Sequence, residues 1–209
     1  MKVCIGIAVA GSNFPAETLE ALMNMKVPME VFTRVIAGES VVKARNALVK
    51  TALENGATHL LFEHDDNPPP QNALERLLLA NKDIVCAPVL SRHAPFVPCI
   101  FNKEQIPDNT LPGYKHIDKV DTTGGDLVKI DACGMACTLI KREVLEKLWK
   151  KYEGEPFVFS RDEINPTNGK KRREMSEDVS FCERATNEGF EIWCDTTVRP
   201  IHLAGYKYV

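Results

Sequence analysis

Residues 57–70 read ATHLLFEHDDNPPP, a pattern that offers hard ligands at the end of a strand. The apolar run Leu60, Leu61 and Phe62 gives way at once to Glu63, His64, Asp65 and Asp66. Three prolines then forbid the ladder from continuing. Open α/β sheets bind ligands outside the carboxyl ends of their strands, where this cluster falls. Adjacent ionised carboxylates repel, so Asp65 and Asp66 together call for a cation or a strong hydrogen-bond partner. A polar turn closing a strand explains the same residues without a ligand. Two other groups lie far away in sequence. Glu177 and Asp178 fall in the first turn of an expected helix, where the macrodipole favours negative charge. They read either as capping residues or as an acid–base pair. His202 follows the last apolar segment, and serves there as a core hydrogen-bonding group or as a ligand.

The elements that must position these groups come from periodicity. Residues 3–10 form an apolar, β-branched run fit for a central buried strand. A helix is expected over 15–25, with Asn13 or Ser12 as its cap, then a strand over 29–36. Over 40–54, Val41, Val42, Leu48, Val49, Ala52 and Leu53 recur at helical spacing, and Asn55 and Gly56 stop the helix. A strand over 58–62 delivers the acidic cluster. A helix over 71–80 and a strand over 83–90 follow. This alternation has the spacing of βαβ units and predicts a mainly parallel sheet covered on both faces. Residues 102–125, rich in Pro, Gly, Asp and Lys, read as a long excursion. An apolar stretch over 127–140 is interrupted by Gly134, and a helix over 142–152 follows. The polar segment 160–175 carries the run Lys170 to Arg173, either a solvated loop or a lid. A helix over 176–188 has Ser176 as N-cap and Gly189 as its stop, and a strand is expected over 190–194.

With 209 residues and 44% hydrophobic content, the chain can bury a substantial core, and its length favours one domain. A net charge of −3 gives no basic field for nucleic acid. No apolar run approaches about 18 residues, so no transmembrane segment is expected. Residues 1–13 begin like a signal peptide, but Lys2 is a lone cation and the run suits a buried strand better. The seven cysteines include no Cys-x-x-Cys pair and read as small buried thiols. Cysteine usage of this kind points to a reduced, cytoplasmic setting.

Taken together, several motifs resemble those of the GT-A glycosyltransferases, the nucleotide-diphospho-sugar transferase superfamily. They include the opening strand, a helix bearing Ala44, Arg45 and Asn46, and a strand ending in an Asp-x-Asp-like motif before proline. A strand with a loop at Gly134 comes next, then Glu177, Asp178, Phe181, Cys182, Arg184, Ala185 and Gly189 in order, and finally His202 with Gly205. The resemblance spans nearly the whole chain. It implies an α/β fold with a Rossmann-like, mostly parallel sheet flanked by helices. Residues 1–209 would form one domain, with 1–101 the nucleotide-sugar half and 102–209 the acceptor-side half. The implied activity moves a sugar from a nucleoside-diphosphate sugar, a UDP-sugar most of all, to a hydroxyl of a glycan or glycoprotein. A divalent cation, Mn²⁺ or Mg²⁺, would offset charge on the departing diphosphate.

By that resemblance Asp66 and His202 are metal ligands, and carboxylate plus imidazole suits Mn²⁺. His64 stands where the family usually carries the first aspartate, and Asp65 would reach the ribose or a metal-bound water. Asp178 matches the general base of inverting members, and Glu177 would support it or bind the acceptor. Nucleotide contacts are expected from Ala8, Ala10 and Gly11 and from Arg45, although Arg45 could instead pair with Glu39 or Glu54 at the surface. Gly134 would let the backbone approach the sugar. A sugar nucleotidyltransferase would need a glycine-rich, basic loop after the first strand, and residues 8–13 hold one glycine and no cation. A Rossmann dehydrogenase is excluded because Gly6 and Gly11 do not make G-x-G-x-x-G, and no P-loop is present. A degenerate domain that binds nucleotide or carbohydrate without turnover is the non-enzymatic alternative.

Overall fold

The computed structural model describes residues 1–9, 14–92, 94–105, 113–120, 126–160 and 175–203. In chain order the elements are β1 (Lys2–Val9), α1 (Ala16–Met23), β2 (Glu30–Ala37), α2 (Val41–Glu54), β3 (His59–His64), α3 (Ala73–Ala80) and β4 (Ile84–Cys86). They continue with β5 (Ile100–Glu104), β6 (Gly113–His116), β7 (Leu127–Ile130), β8 (Ala132–Cys133), β9 (Thr138–Lys141), α4 (Arg142–Lys151), α5 (Glu177–Asn187) and β10 (Ile192–Asp195). Ala10, Gly11, the expected caps Ser12 and Asn13, the run 170–173 and Gly205 lie outside the described residues.

A seven-stranded sheet has the order β2-β1-β3-β9-β4-β10-β7, and β6-β5-β8 form a smaller antiparallel sheet. Strands β2, β1, β3, β4 and β10 run one way, while β9 and β7 run against them. The fold is therefore mixed α/β with a mostly parallel, Rossmann-like sheet. Alternating side chains feed two apolar layers. Leu60 and Phe62 of β3 join the layer under α2, α4 and α5, while Leu61 joins the layer under α3. Gly6 lets α2 sit close to the sheet, because a Cβ there would meet Leu60 Cδ1 at 3.0 Å and Leu48 Cδ1 at 3.3 Å. After β1 the chain moves to β2 on one side and then to β3 on the other. The carboxyl ends of β1 and β3 thus flank a topological switch point, the usual ligand crevice of such sheets.

Several boundaries differ from the sequence expectation. Strand β3 runs through Glu63 and His64, so the acidic cluster begins inside the strand rather than after it. Glu63 is fully buried, and no well-formed hydrogen bond reaches either oxygen among the described residues; the Cys137 thiol is its polar neighbour. Burial pushes its carboxyl well above the usual range. The expected strand over 83–90 shrinks to Ile84–Cys86. Residues 102–125, expected as a long excursion, hold the end of β5 and all of β6, which pair with each other. Helix α1 starts at Ala16 after Pro15, with no side-chain cap. All seven cysteines are free, and six are buried. Among the described residues no helix is long and apolar enough to cross a membrane.

Candidate functional site

Helix α2 carries Arg45 on its buried stripe, in line with Leu48, Val49 and Ala52. Its side chain is only 2% exposed. Nη1 donates to both Glu177 Oε1 and Asp178 Oδ1, and Nη2 donates to His64 Nε2 at 2.9 Å. Arginine has only donors, so His64 must accept through Nε2 and carry its proton on Nδ1. Burial drives the His64 imidazole down to about 3, and the Arg45 charge reinforces the effect. The guanidinium lies 5.8 Å from the ring of Phe157, which stacks on Phe181 at 4.3 Å. Asn46 fixes the Phe157 backbone from both sides, donating to its carbonyl at 3.0 Å and accepting from its N–H at 2.9 Å.

These contacts correct one expectation for Arg45. It does not pair with Glu39 or Glu54, which face Lys43 and Lys50. Its guanidinium holds Glu177 and Asp178 and lines neither cavity described below.

Helix α5 begins where Ser176 accepts from the Val179 N–H at 3.4 Å. Capping therefore belongs to Ser176, which leaves Glu177 and Asp178 available to Arg45. Asp178 Oδ2 accepts weakly from the Met135 N–H at 3.4 Å. Its side chain, 18% exposed, reaches a cavity of about 280 Å³. Burial pushes the Asp178 carboxyl up to about 7, with Arg45 pulling it down and Glu177 pushing it up. The helix dipole alone would hold it ionised well below that, so burial outweighs the dipole. Gly134 lines the same cavity, and a Cβ there would come within 3.8 Å of Asp178 Oδ2 and 3.4 Å of Cys99 Cβ. Glu177 lines neither cavity and stands behind Asp178.

Opposite them lies the turn after β3. The Thr18 hydroxyl donates to the Asp65 carbonyl at 2.6 Å, tying α1 to this turn. The segment 201–203 runs alongside it, with Ile201 N–H bonding to the Pro68 carbonyl at 3.3 Å and Leu203 N–H to the Asp66 carbonyl at 2.9 Å. That pairing brings His202 Nε2 to 3.2 Å from Asp66 Oδ2, while Nδ1 donates to the Leu90 carbonyl at 2.8 Å. The Leu90 bond fixes the ring and leaves Nε2 facing the carboxylate. The same Asp66 oxygen is paired with Arg92 Nη2. Burial works to raise Asp66, but Arg92 and His202 hold it below the usual carboxylate range. Burial and Asp66 raise the neighbouring Asp65.

A second cavity, of about 210 Å³, opens at the switch point beside Ala8, Val9, Glu39 and Asp65. His64, Asp66 and Arg92 are common to both cavities and form the wall between them. Arg92 escaped the sequence reading. Its signal was a cation in the loop after a parallel strand, at the ligand-binding end of the sheet.

Asp66 and His202 converge as a carboxylate oxygen and an oriented imidazole nitrogen, a donor pair that fits a first-row divalent cation. His64 is committed to Arg45 and adds no donor. Among the described residues no three His, Cys, Asp or Glu side chains are placed to hold a metal, so further ligands would come from substrate or water.

No protein-family model matches the chain, and no curated protein matches it. Solved structures do. A197 from STIV superposes with a TM-score of 0.62 and 17% identity over 97% of this chain and 85% of that one. At that identity the likeness is one of fold. S. aureus TarS residues 1–349, in complex with UDP-GlcNAc, gives a TM-score of 0.49 and 12% identity over 100% of this chain and 62% of that one.

Proposed function

We propose that this chain is a GT-A-type glycosyltransferase that moves a sugar from a nucleoside-diphosphate sugar, with UDP-sugars favoured, to a hydroxyl of a glycan or glycoprotein. The observation that carries the reading is Asp178, a carboxyl near 7, facing the same cavity as His202, whose partner Asp66 stands in the wall to the next. The 210 Å³ cavity at the switch point would take the donor and the 280 Å³ cavity the acceptor hydroxyl. Asp178 removes the hydroxyl proton as the oxygen attacks the anomeric carbon, and the bond from that carbon to the diphosphate breaks. Arg45 and Glu177 hold the Asp178 carboxylate in position. Asp66 and His202 would hold Mn²⁺ or Mg²⁺, which supplies positive charge to the departing diphosphate. Asp65 would meet the ribose, and Gly134 leaves room for the sugar beside Asp178. The two halves, 1–101 and 102–209, would divide as donor and acceptor sides of one domain.

The test is a panel of UDP- and GDP-sugars with Mn²⁺, read as released nucleoside diphosphate. Asp178→Asn should lower release by roughly two to four orders of magnitude while UDP-sugar binding stays near wild type. Binding without release by the wild type would leave a degenerate, non-catalytic domain.

A further inference from the structure

Arg92 is 58% exposed, yet its guanidinium reaches back to Asp66 from the loop after β4. That loop is pinned at its base. Ser91 N–H donates to the Val97 carbonyl at 2.8 Å, Val97 N–H donates to Ser91 Oγ at 3.1 Å, and Leu90 bridges Pro98. The backbone beneath Arg92 is therefore held in place while the side chain keeps its rotatable bonds. Among the described residues lining the two cavities, Arg92 is the one with a permanent positive charge. The switch-point cavity otherwise presents Glu39, Asp65 and Asp66, together with a His64 imidazole whose Nε2 accepts from Arg45. A diphosphate entering a cavity lined by three acids would be repelled unless a cation met it.

We propose that Arg92 is the binding residue for the anionic diphosphate of the donor, exchanging Asp66 for phosphate oxygens when the nucleotide enters. The inference rests on the nucleotide-sugar reading above and adds to it the residue that recognises the leaving group. The planar guanidinium presents two parallel donors that match phosphate geometry. The Asp66 partnership is a partly exposed ion pair, which is weak and easily exchanged. The exchange also uncovers the Asp66 carboxylate and the His202 Nε2 that faces it. A cation at Asp66 and the diphosphate on Arg92 therefore favour one another, since each removes a competitor of the other.

Calorimetric titration of UDP and of uridine into wild type, Arg92→Ala and Arg92→Lys, each in EDTA and in Mn²⁺, separates the outcomes. UDP should bind about tenfold or more weakly to Arg92→Ala in both buffers, as expected for losing a hydrogen bond to a charged group. Uridine, which lacks the phosphates, should bind all three proteins equally, and Arg92→Lys should recover part of the UDP affinity. UDP affinity within twofold of wild type in Arg92→Ala overturns the inference and leaves the transferase reading standing. A parallel loss of uridine binding overturns it as well, because the variant would then have damaged the nucleoside cavity. A wild type that binds neither probe overturns the nucleotide-sugar reading and this inference with it.

Discussion

Asp178 sits where opposing influences meet, and its pH behaviour follows from their balance. Burial raises the carboxyl to about 7 against the pull of Arg45. A base must be deprotonated to accept a proton, so transfer should rise with pH through about 7 and level off above it. Below that point kcat/KM should fall about tenfold per pH unit, because only the ionised fraction works. A pH–rate profile on the wild type checks this, and a flat profile between pH 5 and 8 would remove Asp178 from the role of base. The sequence placed Asp178 in the right turn of the right helix. Its ionisation was not legible there, because a helix N-terminus argues for a low value while burial, a tertiary property, argues for a high one. Glu63 illustrates the same limit. Its polar type read as the end of a strand, whereas the fold buries it fully and raises its carboxyl well above the usual range.

At the scale of elements, Arg45 joins α2 to α5 and β3 through Glu177, Asp178 and His64, across as many as 133 positions in the chain. Removing one member of a buried charge group leaves the others uncompensated and costs about 3–5 kcal/mol. Arg45→Met should therefore lower the unfolding free energy by that amount, read in urea as a lower midpoint with an unchanged slope. It should also move the acid limb of the pH–rate profile upward, since the group that pulls Asp178 down is gone. A loss below about 1 kcal/mol would mean that α2 and α5 do not depend on the ion pair. Arg45 was partly visible in the sequence, because it lies three and four residues before Leu48 and Val49 on the apolar stripe. A cation on such a stripe demands a buried acid, but nothing local says which acid.

The whole molecule gathers the site from the ends of separate elements: β1 and β3 at the switch point, the loop after β4, the start of α5 and the segment around His202. Ligand binding at such a junction should stabilise the chain as a unit. At a hundredfold excess over the dissociation constant, UDP with Mn²⁺ should add about 2.7 kcal/mol to the unfolding free energy. Asp66→Ala should abolish the Mn²⁺ contribution while leaving a smaller UDP effect. Thermal unfolding of both proteins with and without Mn²⁺ provides the measurement. Equal UDP stabilisation under all four conditions would dismiss Asp66 as a metal ligand.

Local pattern carried much of this architecture. The alternation of apolar strands and amphipathic helices through residue 90 depends on side chains a few positions apart, so it is written in the order of residues. The stop at three prolines, the Ser176 cap and the Gly189 turn are equally local, and all appear where the pattern puts them. The partners of those elements are another matter. Strand β9 enters antiparallel between β3 and β4, so a strand from the second half of the chain lies between strands of the first. The meeting of Arg92 with Asp66, and of Arg45 with Glu177, Asp178 and His64, likewise depends on helix and loop packing far along the chain. Desolvation is set only when those surfaces close together. The chain order therefore names the groups that can do chemistry, while their charge states and their neighbours come from the closed fold.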